Sequence, residues 1–318
     1  MASYPTVNHS FRRLALVTAA LVYLLIVVGA VVRVTESGLG CPDWPLCYGG
    51  MLPPPEQTAV IEFTQRLIAG IAGLFILLKA VVAWRYYRRF AWVARPALFA
   101  AAMVPVQYLL GASVVATELA PAAVAIHLGT ALLIFAGTLV VAVAAHHGSL
   151  SASLRLPRRY LLLLAAAVAA LFALLLTGAM VAGSEEAAWA CADWPLCNGR
   201  LLPGPDSPFP VAIQTLHRAM AMGVGLMILF VAGIGFRLRA ALGPAARLAL
   251  LVGALFVVQA AVGAIVISMQ LEALWRATHL AFASAVWAAL VALTASAFLQ
   301  QHRYQQRRRQ REQGAGTR

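Results

Sequence analysis

Eight apolar stretches of the chain are long enough to cross a bilayer, and most of the charged residues gather between them. They lie near 14–32, 61–84, 93–116, 121–145, 160–183, 211–236, 245–270 and 273–299. About 20 apolar residues suffice to span the hydrocarbon core, so each is predicted as a transmembrane helix. Strand signals are absent, and backbone surrounded by lipid must satisfy its own hydrogen bonds, which a helix does. The first stretch is too long for a cleaved signal and is read as retained. The fold class expected is an all-α integral membrane protein with eight transmembrane helices.

The pattern repeats. Cys41-Pro-Asp-Trp-Pro-Leu-Cys47 returns as Cys191-Ala-Asp-Trp-Pro-Leu-Cys197. Gln107, Gly111 and His127 return as Gln259, Gly263 and His279, and Glu62-Phe-Thr-Gln65-Arg66 returns as Gln214-Thr-Leu-His217-Arg218. Two copies of one unit are implied, each with four spans, so differences at equivalent positions read as a division of labour. An even number of spans per copy gives both the same orientation, hence two tandem parallel four-helix bundles about an axis along the membrane normal. The expected units are residues 1–148 and 149–318, the second ending in a basic cytoplasmic tail. His146, His147, His9 and His302 are read as ordinary wet positions.

Composition agrees with this class, since 62% of residues are hydrophobic and 11% charged. The formal charge of +13 then becomes a statement about topology. Nineteen of the 24 basic residues fall at the amino terminus, between alternate spans and in the tail, and ten of the eleven acids lie on the other side. That bias puts both termini in the cytoplasm and both Cys-Trp loops outside. Basic residues spread over every inner loop argue against nucleic-acid binding. The tail, Arg303 to Arg311, is expected as a solvated end touching anionic headgroups. High Ala and Arg content without a transit segment favours a bacterial plasma (inner) membrane.

The outer loops at 33–60 and 184–210 hold all four cysteines. Identical C-x5-C spacing on the oxidising side suggests one disulfide in each, Cys41–Cys47 and Cys191–Cys197; thiol redox chemistry or a metal site is the alternative. Trp44 and Trp194 serve either as covers at the bundle mouth or as interfacial anchors.

Ionisable residues inside a membrane bundle are functional candidates. Glu62, Gln65, His127, Gln214, His217 and His279 all lie near the outer ends of spans 2, 4, 6 and 8. His217 and His279 on facing helices suit a haem iron in six-coordination, against a purely structural pair. Arg218 and Arg276 stand close enough in sequence to meet haem propionates. The first copy has Gln65 where the second has His217, and Glu62 where the second has Gln214. Glu62, Gln65 and Arg66 share one helix face. A carboxylate in one half and two histidines in the other suggest catalysis in the first and electron storage or transfer in the second. A Glu62–Arg66 pair that only neutralises charge is the plainer alternative.

At these residues the chain resembles haem A synthase, the eight-span enzyme of cytochrome oxidase assembly. The resemblance covers nearly the whole chain: the eight spans, the two-fold repeat, the C-P-D-W-P-L-C loop, the E-x-x-x-R of span 2, and His127, His217 and His279. It implies oxidation of the C8 methyl of haem O to a formyl group by successive hydroxylations. Haem b as cofactor would lie in the second half, ligated by His217 and His279 with Arg218 and Arg276 beside it. Haem O as substrate would bind the first half, its iron approached by His127, with Gln65 and Arg66 adjacent. Glu62 would be the catalytic carboxylate near the methyl, and the Cys41–Cys47 loop would cap the site. Beyond the haem O substrate, the candidate partners are a haem O synthase (prenyltransferase), an electron-transfer partner, membrane lipid and a second copy of the chain; which of them binds is open at this point.

One departure stands out. The family pattern in span 2 is E-x-x-H-R, and here Gln65 occupies the histidine position. The substrate is then held by His127 alone, or the chain is a divergent or inactive relative, or the residue was engineered. A non-catalytic b-haem protein is the alternative function. A transporter fits less well, because the polar residues gather at one face rather than the midplane.

Overall fold

A computed structural model describes residues 7–146 and 154–315. Among the described residues no β-strand forms, and eight helices are long and apolar enough to cross a membrane. The chain is a multi-pass membrane protein. The helix α1 (His9–Val34) starts at Asn8, whose side-chain oxygen accepts the Phe11 N–H at 2.8 Å and so satisfies one of the first turn's unpaired donors. There follow α2 (Gln57–Tyr87), α3 (Ala91–Ala116) and α4 (Pro121–His146). The second copy comprises α5 (Arg158–Gly183), the short α6 (Glu185–Trp189), α7 (Phe209–Arg237), the four-residue α8 (Arg239–Leu242), α9 (Ala246–Ser268) and α10 (Ala273–Ala315). The expected boundary at 148/149 and His147 lie outside the described residues.

Within each copy the long helices close a ring. α1 packs on α2, α2 on α3, α3 on α4 and α4 on α1; α5, α7, α9 and α10 do the same. The rings meet through α4 with α5, α1 with α10, and α4 with α10. Under the repeat α1 corresponds to α5 and α4 to α10, so the first two contacts are one contact made twice. The pattern maps onto itself when the copies exchange, as a parallel repeat requires.

Apolar side chains are packed into this seam. Leu132 and Phe135 of α4, Leu164 and Leu171 of α5, and Trp287 and Leu290 of α10 belong to one buried cluster. The Trp287 indole N–H donates to the Leu132 carbonyl at 3.1 Å across the seam, giving a buried donor its partner. On the disulfide side Arg33 of α1 donates to the Ala182 and Gly183 carbonyls, both at 3.1 Å. Those carbonyls end α5 and have no partner within the helix. Leu74, Leu109, Leu226 and Phe230 point outward, as surfaces facing lipid do.

Two features depart from expectation. The last helix does not stop near residue 299 but continues to Ala315, since no Gly or Pro interrupts it before Gly314 and Gln and Arg are good helix formers. Its 43 residues extend about 64 Å, roughly twice a bilayer core. Gln301 of α10 accepts the Leu156 N–H that precedes α5, His302 lies against Trp92 and Arg303 is buried, and the helix is exposed from Gln305 onward. The basic tail is therefore helical, with Arg307, Arg308, Arg309 and Arg311 exposed, in keeping with a solvated end. Lys79, grouped with the inner loop charges from sequence, is fully buried within α2, and its ammonium has no hydrogen-bond partner among the described residues.

Candidate haem sites under two disulfide loops

Each outer loop is built in the same way. Cys41 and Cys47 are disulfide-bonded with Cα atoms 4.7 Å apart, and Cys191 and Cys197 with Cα atoms 4.9 Å apart. The chain then reverses through Tyr48-Gly49 and Asn198-Gly199, all four at positive φ, the backbone of a two-residue type I′ turn. A bridge closes each turn, Cys47 to Gly50 and Cys197 to Arg200. Asp43 accepts the Tyr48 and Gly49 N–H groups at 2.5 and 2.7 Å; Asp193 accepts those of Asn198 and Gly199 at 2.6 and 2.9 Å. The Gly49 N–H is the main reason the Asp43 carboxyl sits below its usual range, as the Gly199 N–H is for Asp193.

An arginine ties each loop to the helix beneath it. Arg66 of α2 donates to the carbonyls of Asp43 (2.7 Å), Leu46 and Cys41 (3.1 Å). Arg218 of α7 donates to the equivalent carbonyls of Asp193, Leu196 and Cys191. Both guanidiniums, expected from sequence beside haem, are turned to the loops. Only the first copy adds a carboxylate. Glu62, 4% exposed, pairs with Arg66 at 2.5 Å through one oxygen and accepts the Cys41 N–H at 2.8 Å through the other. The buried Gln214 makes no such bond to its loop.

Below the loops four polar positions face the bundle interiors. In the second copy His217 stands on α7 and His279 on α10, and both are held by polar neighbours. The Thr177 hydroxyl of α5 lies 3.1 Å from His217 Nδ1, and the Gln259 amide nitrogen of α9 lies 3.1 Å from both ring nitrogens of His279. In the first copy the Gln107 amide of α3 donates to His127 Nε2 of α4 at 3.0 Å. The fourth position, Gln65, lies against Gly29 of α1. Glycines back all four. A Cβ at Gly178 would sit 2.9 Å from His217 Cε1, one at Gly263 3.1 Å from His279 Cε1, one at Gly111 3.6 Å from His127 Cε1, and one at Gly29 3.1 Å from Gln65 Nε2. Thr177 and the role of the glutamines escape a reading of sequence. Gln107 and Gln259 were visible as matched positions, but only the fold brings each against an imidazole.

The first copy also has an aromatic cover that the second lacks. The Trp44 indole meets Tyr108 in a tilted contact, ring centroids 3.8 Å apart and planes at 56°, and its Nε1 reaches the same spot beside Gly111 that His127 reaches. Trp194 is 53% exposed, and Ala260 occupies the position equivalent to Tyr108. Of the two roles open for these tryptophans, Trp44 is a cover and Trp194 projects from the bundle.

The donor set limits the chemistry. No cluster of three or more His, Cys, Asp or Glu side chains forms among the described residues, so a bare ion lacks a cage. Two imidazoles suit an iron that already carries a porphyrin and needs only axial ligands. Buried polar atoms without partners, Gln259 Oε1 in the second copy and His127 Nδ1 and Gln107 Oε1 in the first, mark both interiors as fitted to something more than apolar packing. Arg276, three residues before His279, makes no ion pair among the described residues and lies within electrostatic range of Arg33. Arg33 has Glu36 and Glu185 within the same range, so Arg276 is the cation left for an anionic group.

Comparison with known proteins agrees with this geometry. The profile of the cytochrome oxidase assembly protein family, COX15-CtaA, matches residues 12–291 and again 205–314. A haem A synthase of Shouchella clausii is 33% identical over 231 residues, 70% of this chain and 75% of that protein. Haem A synthases of Halalkalibacterium halodurans, 31% identical over 73% of this chain and 78% of its own length, and Alkalihalophilus pseudofirmus, 29% identical over 68% and 73%, are similar in the same way. The chain belongs to the COX15-CtaA family of cytochrome oxidase assembly proteins.

Proposed function

We propose that the chain is a haem A synthase that oxidises the C8 methyl of haem O to a formyl group, binding substrate in residues 1–148 and a b haem in 149–318. The observation that carries this reading is the asymmetry of the repeat: a carboxylate and one imidazole in the first copy, two imidazoles and no carboxylate in the second. The names borne by relatives at about 30% identity support it.

His217 and His279 would hold the b haem, and Arg276 would meet a propionate. A bis-His haem supplies one-electron transfer when bound. In the first copy His127 faces the substrate iron, and Gln65 leaves the other axial side without a strong ligand. Trp44, set over the first interior beside Gly111, would cap it on the outer side. Glu62, ion-paired with Arg66 and fastened to the Cys41 N–H, is a fixed negative charge that favours positive charge developing on the substrate. Its link to the loop makes the closed cap and the placed carboxylate one structure. Removing electrons from the methyl requires an electron-accepting partner, and a prenyltransferase must supply haem O. Both termini are assigned to the cytoplasm of a bacterial plasma membrane and the disulfide loops to the outside, from the placement of arginines.

Gln65 favours a second reading, a b-haem protein without turnover. Glu62→Gln separates the two in a host that supplies haem O. The synthase reading predicts that extracted haem A falls by about 100-fold or more while haem b is retained. Unchanged haem A production in that variant overturns the role of Glu62, and absence of haem A from the parent chain favours the second reading.

A further inference from the structure

We propose that Thr177 sets the tautomer of His217 and thereby makes Nε2 of that ring the iron ligand. The inference rests on the haem reading of the second copy.

A hydroxyl has one hydrogen to donate and lone pairs with which to accept. The Thr177 hydroxyl donates its hydrogen to the Leu174 carbonyl, one turn back in α5, at 2.8 Å. Its oxygen is then an acceptor towards His217 Nδ1, 3.1 Å away. The proton of the neutral imidazole therefore resides on Nδ1, and Nε2 keeps its lone pair. The Leu174 carbonyl that accepts from Thr177 is also a backbone hydrogen-bond partner of the His217 ring. Gly178 completes the clamp, because a Cβ there would lie 2.9 Å from Cε1 and push the ring away from Thr177.

The first copy supplies an internal control. Gly29 approaches the Gln65 side chain as Gly178 approaches His217, so positions 28–29 correspond to 177–178. Val28 stands in the place of Thr177 and Gln65 in the place of His217. The acceptor and the imidazole are absent together, as expected if the threonine serves the ring rather than α5. Threonine bonding to its own preceding turn is common in helices; a further contact to the imidazole, whose other polar neighbour is the same Leu174 carbonyl, is not explained by helix stability. Ligating histidines are generally oriented by a hydrogen bond from the other ring nitrogen, which also raises their basicity. Thr177 is thus a positioning residue, and the more basic imidazole it creates favours ferric iron and lowers the midpoint potential.

The test uses the purified full chain, its haem b content and the midpoint potential of that haem. Thr177→Val keeps the volume and removes the acceptor, and Thr177→Ala removes it with less risk of overpacking. Both are expected to raise the potential and weaken haem retention by about 10–100-fold, the usual cost of losing such a partner. Thr177→Ser is expected to restore both. Parent values in the Val and Ala variants, while His217→Ala loses its haem, overturn the role of Thr177 and leave the haem reading intact. A loss that Ser does not rescue also overturns it, because packing then accounts for the effect. Full haem b in His217→Ala overturns the haem reading and this inference together.

Discussion

An imidazole can lie flat against a neighbouring helix only where that helix carries no side chain. Gly178 and Gly263 provide such places for His217 and His279. A methyl group usually strengthens a helix relative to glycine by about 1 kcal/mol, but at Gly178 it would meet the ring, at an overpacking cost of about 1–3 kcal/mol. Gly178→Ala should therefore leave a folded protein depleted of haem b. Gly233→Ala, where a Cβ meets nothing within 4 Å, should retain haem at the parent level. Haem extraction from both variants checks this, and equal content contradicts the clamp. At this scale the chain was legible in part. The repeat exposed His127, His217, His279 and the two changed positions, because identity and difference both survive in sequence. It could not reveal Thr177, whose partner lies 40 residues away, nor that Arg66 and Arg218 face the loops. A guanidinium beside a candidate ligand has several carbonyls and anions within reach, and only the fold selects among them.

The outer loops are the elements that decide what lies above each interior. Their frame is polar: an aspartate closing a turn, an arginine binding three carbonyls, and in the first copy Glu62 as well. Because Asp43 and Asp193 titrate below the usual value near 3.8 when folded, the stability they add is complete above that value. It is lost as pH falls through the lowered folded range. Proteolysis of the loops should be slow at neutral pH and accelerate below about pH 4, while Asp43→Asn should loosen the first loop already at pH 7. Equal cleavage of that variant and the parent at pH 7 would show that the turn stands without its carboxylate. Helix spans were legible from apolar runs, and the turns at Glu118-Leu119 and Gln270-Leu271, with left-handed backbone at both pairs, repeat as the copies do. The length of α10 was not, since hydropathy reports where lipid ends but not where a helix does.

At the scale of the molecule, two rings share a seam in which equivalent helices make equivalent contacts. Such a frame lets one interior diverge without disturbing the other. The aromatic cover of Trp44 and Tyr108 and the Glu62 bond to Cys41 occur in the first copy alone, and the Thr177–His217 pair in the second. Division of labour between the copies is the central claim. Its most direct measurement is the identity and amount of haem extracted from the parent, His217→Ala and His127→Ala, each purified from a host that supplies haem O. The account predicts about one haem b per parent chain, loss of that haem in His217→Ala, and its retention in His127→Ala with no haem A formed. Haem b lost from His127→Ala and kept in His217→Ala would contradict it.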